Sequence, residues 1–145
     1  MLKVLIVEDS VMLADLLEDF LVARGYDVCG SARNVAEAVR LADQYRPDLA
    51  VVDYRLERGE FGSQIRPLLQ DKVTMGILYV SGDPLEEKLT KIDGDAYIQK
   101  PYGLSDLCHA LEVIRHIKRS EPFETPLPNG MRLLQNYSRD IWQMA

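Results

Sequence analysis

The chain is poor in the residues that would tie it to several common protein classes. It carries only two cysteines, Cys29 and Cys108. Their spacing suggests no metal knuckle, redox pair or disulfide framework, so both are expected to pack as small apolar side chains. The two histidines, His109 and His116, lie among charged neighbours on a helical stretch and read as solvated rather than ligating. No apolar run is long enough to span a bilayer. The N-terminus, with one lysine and a short run to Val7 before acids intervene, is not a signal peptide. The expected location is therefore the cytoplasm, with no membrane attachment. Basic charge is also short: the formal net charge of -6 argues against direct nucleic-acid binding, because phosphate contacts need a basic face. What is left is an ordinary globular composition, at a length that suits one domain with a real core.

Within that domain, strand and helix signals alternate with short connections, the pattern of a doubly wound βαβ protein. Lys3–Val7 and Leu49–Asp53 are apolar runs that end abruptly in acids, as expected of strands buried on both faces of a parallel sheet. Ser10 is positioned to cap a helix reaching about Arg24, with Leu13, Leu16, Leu17, Phe20 and Leu21 as its apolar stripe and Gly25 closing it. Tyr26 to Ser31 reads as a second strand. Asn34, with Glu37 at the capping-box position, opens a second helix whose inward residues are Val35, Ala38, Val39 and Ala42. Tyr54–Gly62 reads as a loop, Ser63–Gln70 as a short helix troubled by Pro67, and Gly76–Val80 as a fourth strand. Pro84–Lys91 is expected to be a short helix with little apolar face, and Ala96–Gln99 a fifth strand. Ser105 is expected to cap a last long helix with the stripe Leu107, Leu111, Ile114 and Ile117. Residues 1–119 make the domain and 120–145 an extension: a connector stiffened by Pro122, Pro126 and Pro128, then a short helix or arm from Met131 to Met144. Leu134, Tyr137, Ile141 and Trp142 are too apolar to leave in water, so the extension is expected to pack on its own domain or on a second copy.

In an open α/β sheet, ligands sit at the carboxyl edge of the strands. That edge should collect Glu8, Asp9, Asp53, Ser81 and Lys100, each at or just past a strand end. Three unpaired carboxylates repel one another, which implies a bound cation. Oxygen ligands favour Mg²⁺. Asp53 is a candidate nucleophile, since carboxylates form acyl phosphates. Lys100 would neutralise charge on a transferred phosphoryl group, Ser81 would donate a hydrogen bond to it, and the backbone carbonyl of Arg55 would complete the metal shell.

Taken in order, VLIVEDS, PDLAVVD, ILYVSG and GDAYIQKP resemble the motifs of a two-component response-regulator receiver domain over roughly Leu2 to Arg119. The resemblance implies a five-stranded parallel sheet of order 2-1-3-4-5 with helices on both faces, as in CheY-like, flavodoxin-like proteins. It further implies Asp53 as phospho-acceptor, Glu8 and Asp9 as Mg²⁺ ligands, Ser81 and Lys100 as phosphoryl contacts, and Tyr97 at the aromatic switch position. A tyrosine packed half inside a strand would occupy the same place, and both readings of Tyr97 stand. The loop YRLERGEFG departs from the proline-containing sequence common there and loosely resembles receivers that partner HWE-type histidine kinases. Arg55, two residues past the acceptor, would either contact a phosphoryl group or pair with a nearby acid.

The implied function is phosphoryl acceptance from a histidine kinase or phosphotransfer protein. The response is a shift on the face made by the family's fourth helix, fifth strand and fifth helix. Turnover of an outside substrate is not expected. Output would pass through a downstream protein partner or a homodimer, because the residues after Arg119 are too few and too little basic for an ordinary DNA-binding module. Two other classes compete. A haloacid-dehalogenase-like phosphatase would want a second acid where Arg55 stands, and steady turnover of a small phosphoester would reveal it. A phosphorylation-independent binding module would not need the complete set of acids and lysine.

Overall fold

A computed structural model of the chain describes residues 1–70 and 74–134. The apolar runs form the strands expected of them. These are β1 (Lys3–Val7), β2 (Asp27–Ala32), β3 (Leu49–Asp53), β4 (Gly76–Ser81) and β5 (Ala96–Gln99), all parallel in the order β2-β1-β3-β4-β5. Alternate residues of each strand feed two cores, one on either side of the sheet. Val4, Ile6, Leu49 and Val51 pack with α1 (Val11–Ala23) and α3 (Leu104–Lys118), whereas Leu5, Val7, Ala50 and Val52 pack with α2 (Val35–Tyr45). Every residue of β3 is buried, so this strand is the centre of the molecule.

Helix ends follow local chemistry. The Ser10 hydroxyl accepts the Leu13 amide and the Asn34 carbonyl oxygen accepts the Glu37 amide, each satisfying an otherwise unpaired donor. Gly25 takes the left-handed conformation that ends α1, at φ +91°. Helix α3 starts earlier than its sequence suggests. Its cap is Gly103, without a side-chain bond, and Ser105 lies inside the first turn.

Four further expectations need correction. In α1 the buried residues are Ala14, Leu17 and Leu21, leaving Leu13 (51%) and Leu16 (55%) exposed. Small Ala14 lets the helix lie close to the sheet, which turns the neighbouring leucines outward. The Ser63–Gln70 helix is replaced by two 3₁₀ turns, Gly62–Gln64 and Arg66–Leu68, because Pro67 cannot donate a hydrogen bond within a continuing helix. Pro84–Lys91 is not a helix but a single turn closed by the Lys88 and Leu89 amides on the Leu85 carbonyl. Leu85 and Leu89 are its only core contributors, too little burial to offset helix nucleation.

The fourth correction concerns the extension. Met131–Leu133 does not begin a helix. It forms β6, antiparallel to β5, and so adds a sixth strand to the expected five. Leu134, just beyond it, is fully buried against the parent domain. Tyr137, Ile141, Trp142 and the rest of the expected helix lie outside the described residues.

Candidate functional site

The carboxyl edge of the sheet is where the strand-end acids meet. Asp53 ends β3 with 8% of its surface exposed. Beyond β5, the Lys100 amide donates to the Ser81 carbonyl at 2.8 Å, pinning the chain so that the lysine side chain reaches across β4. Its Nζ lies 3.3 Å from both Oδ1 and Oδ2 of Asp53. Beyond β1, the Glu8 amide donates to the Ala32 carbonyl at 2.9 Å, and Glu8 Oε2 accepts the Ser10 amide at 3.2 Å. Glu8, Asp9 and Asp53 each offer a carboxylate oxygen, all within 4.8 Å of one another. Glu8, Asp9, Asp53 and Lys100 therefore form one cluster, as their sequence positions predict.

Electrostatics follow from that crowding. Burial first, then hydrogen bonding to Asp9 and the charge of Asp53, pushes the Glu8 carboxyl up to about 7. Burial also raises Asp53, although the Lys100 ammonium opposes it. The cluster thus holds more negative charge than one lysine balances. Three hard oxygen donors within reach of a common centre suit a small divalent cation.

Other expected residues lie nearby without touching Asp53. Ser81, 3% exposed, is at the same edge. Its hydroxyl is engaged in its own turn, donating to the Asp83 carbonyl at 2.8 Å and accepting the Asp83 amide at 3.0 Å. Tyr97 lies mid-strand in β5, 1% exposed, apart from the acids. Burial and a hydrogen bond with the Glu86 carboxylate push its phenol up to about 12. Of the two readings left open for Arg55, pairing with an acid is the one observed. Its Nε and Nη2 donate to Asp83 Oδ2 at 3.3 and 3.1 Å, and its guanidinium lies 5.6 Å from the Phe61 ring centre.

Three residues escaped the sequence reading. Tyr102 is partly buried in the core beside α3, and after burial itself the charges of Glu8 and Asp53 are what raise its phenol. An aromatic two residues past the Lys100-Pro101 motif was the available signal. Asp83 holds both the Ser81 turn and Arg55, a role visible only once the loops after β3 and β4 are side by side. Gly62 passes so close to β3 that a Cβ there would sit 2.6 Å from the Asp53 carbonyl oxygen.

Comparison with known proteins agrees with this geometry. Residues 4–112 match the model of the response regulator receiver domain. The polar-differentiation response regulator DivK of Brucella anthropi is 32% identical, over 70% of this chain and 86% of DivK. The transcriptional regulatory protein PdtaR of Mycobacterium tuberculosis is 29% identical, over 77% of this chain and 55% of PdtaR. The chain spans about half the length of several curated relatives it matches. Among solved structures, the signal receiver domain of a modulated diguanylate cyclase from Desulfovibrio desulfuricans superimposes with a TM-score of 0.72 at 32% identity. That match covers 84% of this chain and 99% of the other. The chemotaxis response regulator CheY4 of Vibrio cholerae gives a TM-score of 0.69 at 25% identity, over 79% and 98% of the two chains. With both sequence and fold matched over most of its length, the chain belongs to the response-regulator receiver domain family.

Proposed function

We propose that this receiver accepts a phosphoryl group on Asp53 from a histidine kinase, of the HWE type or another, or from a phosphotransfer protein. The observation that carries this reading is the Lys100 ammonium 3.3 Å from both Asp53 oxygens, with the Glu8–Asp9 acids on the other side. In the reaction an Asp53 oxygen attacks phosphorus, a P–O bond forms, and the P–N bond of the donor phosphohistidine breaks. The electron pair leaves on the imidazole nitrogen. Lys100 holds the carboxylate in place and balances charge on the transferred oxygens. Glu8, Asp9, Asp53 and the Arg55 carbonyl are the groups that would hold Mg²⁺, which when bound neutralises phosphoryl charge. Ser81 would exchange its Asp83 partner for a phosphoryl oxygen, and that exchange is the conformational signal. The chain's own chemistry ends with transfer and loss of the phosphoryl group, so it is a signalling domain rather than an enzyme acting on an outside substrate.

The surface beside the acids favours a protein as donor. Val11, Met12, Leu13 and Leu16 of α1 follow directly on Glu8 and Asp9 and are 52, 80, 51 and 55% exposed. Leaving the exposed part of such side chains in water forgoes roughly 1 kcal/mol or more each. A helix of the phosphodonor that covers them would recover this and bring its phosphohistidine to Asp53. Output then passes by protein contact to a downstream partner.

The test is incubation with acetyl phosphate and Mg²⁺, followed by mass measurement and peptide mapping. One phosphoryl group on Asp53, absent from Asp53→Asn and abolished by a chelator, is the expected result. Label on another residue would refute the assignment.

A further inference from the structure

The outer edge of β5 would expose a row of unpaired backbone groups, yet the chain covers that edge with its own extension. The Gln99 amide donates to the Gly130 carbonyl at 3.0 Å and the Leu134 amide to the Asp95 carbonyl at 3.1 Å. Between them Ile98, Tyr97 and Ala96 pair with Met131, Arg132 and Leu133. Met131 enters the core on one side of the sheet and Leu134 the core on the other, beside Leu85, Leu89 and Tyr97. Arg132 Nε lies 3.3 Å from Glu86 Oε1, and the nearby Tyr97 hydroxyl is the main influence lowering the Glu86 carboxyl. One three-group cluster therefore clamps the extension, β5 and the Pro84–Leu89 segment together.

That same segment begins at the Ser81 turn. The Ser81 hydroxyl must give up its bond to the Asp83 carbonyl before it can donate to a phosphoryl group on Asp53. Glu86 lies three residues past Asp83, so reshaping the turn displaces the segment on which Arg132 rests. Tyr97 is already inward, held by Glu86, and needs no further turn. The bistable part of this molecule is thus the turn together with the strand that lies over it.

We propose that Pro128–Leu134 is an internal cover on the β5 edge whose docking opposes the phosphorylated arrangement of Ser81, so that phosphorylation loosens it. This rests on the reading of Asp53 as acceptor. Because coupling between two equilibria is reciprocal, loosening the cover must also strengthen binding at the acceptor by the same factor.

The experiment uses the full chain, with beryllofluoride and Mg²⁺ as the phosphoryl mimic. Hydrogen exchange at the Met131–Leu134 amides should speed up at least several-fold on saturation. Arg132→Glu, at an exposed position (side chain 69% accessible), should tighten beryllofluoride binding two- to five-fold, the range an exposed ion pair can supply. Leu134→Ala should tighten it further. Unchanged or slower exchange in protein that does bind the mimic, or variants with wild-type affinity, would overturn the cover. Acetyl phosphate labelling of Asp53 in the same samples reads the acceptor separately. Its absence would refute the acceptor assignment, and the cover would fall with it.

Discussion

Gly62→Ala should damage the acceptor site more than it damages the fold. Gly62 opens the 3₁₀ turn Gly62–Gln64, where its amide donates to the Tyr54 carbonyl at 2.7 Å. An added Cβ would meet Val52 Cγ1 at 2.5 Å and the Asp53 carbonyl oxygen at 2.6 Å. Neither neighbour can yield freely. Val52 is fully buried with a stiff branched side chain, and the Asp53 oxygen is backbone of the central strand. Restoring ordinary contact requires roughly an ångström of movement by the loop or by the end of β3. Overpacking of this kind costs about 1–3 kcal/mol, while misplacing a reacting group by about 1 Å can cost on the order of 100-fold in rate. The control is Gly76→Ala at the opposite end of β4. There a Cβ would meet Ile114 Cγ2 at 2.7 Å and Leu49 Cδ2 at 2.9 Å, side chains only and far from Asp53 in the sheet. Urea denaturation should show comparable losses of stability for the two variants. Labelling by acetyl phosphate in native buffer should fall at least tenfold for Gly62→Ala and stay within about twofold for Gly76→Ala, since only the first displaces reacting atoms. Equal labelling rates in the two variants would refute the link between this close approach and acceptor geometry.

Other expectations follow from the same edge. Lys100→Ala should leave the chain folded, because the lysine is 40% exposed, yet slow acetyl phosphate labelling at least tenfold; labelling at the wild-type rate would remove Lys100 from the site. Leu13→Glu with Leu16→Glu should change the urea midpoint little, since both side chains are already exposed. It should block transfer from a phosphohistidine protein while acetyl phosphate still labels Asp53, and transfer at the wild-type rate would move the docking surface elsewhere. Arg55→Ala should shift stability by less than about 1 kcal/mol, as both partners of its ion pair are half exposed. If it also freed the β4 loop, exchange at the Asp83 amide would rise, and unchanged exchange would mean that the Ser81 turn holds without Arg55.

What the sequence disclosed and what it hid separate along a physical line. Strands buried on both faces need continuous apolar runs, so β1 and β3 were legible, and with them the acids at their ends. Caps are local as well, which is why Ser10, Gly25 and Asn34 could be placed from their neighbours alone. The face of α1 was ambiguous because VMLADLLEDFLVA is apolar on more than one side, and the choice fell to small Ala14 and its fit against the sheet. Met131-Arg132-Leu133-Leu134 satisfies a helical and a strand pattern equally well. An open edge on β5 decides between them, and that edge exists only after the other strands have assembled. The Arg55–Asp83 pair was hidden for the same reason, since it joins loops distant in sequence.

The acid cluster also explains why a fully buried strand ends in a carboxylate. A carboxylate 8% exposed, beside two more acids and one ammonium, is a poor choice for stability. Burial raises both Asp53 and Glu8, so folding works against their charge rather than with it. A merely structural role would be better served by an amide at either position, which would remove the repulsion between the acids. The arrangement gains something only when positive charge arrives from outside. A divalent ion would then turn the repulsion into ligation, and the partly neutralised Asp53 would be held by Lys100 with an edge open toward α1. Such a site would be destabilising on its own and stabilising once filled, which is the physical condition for a switch rather than for a scaffold.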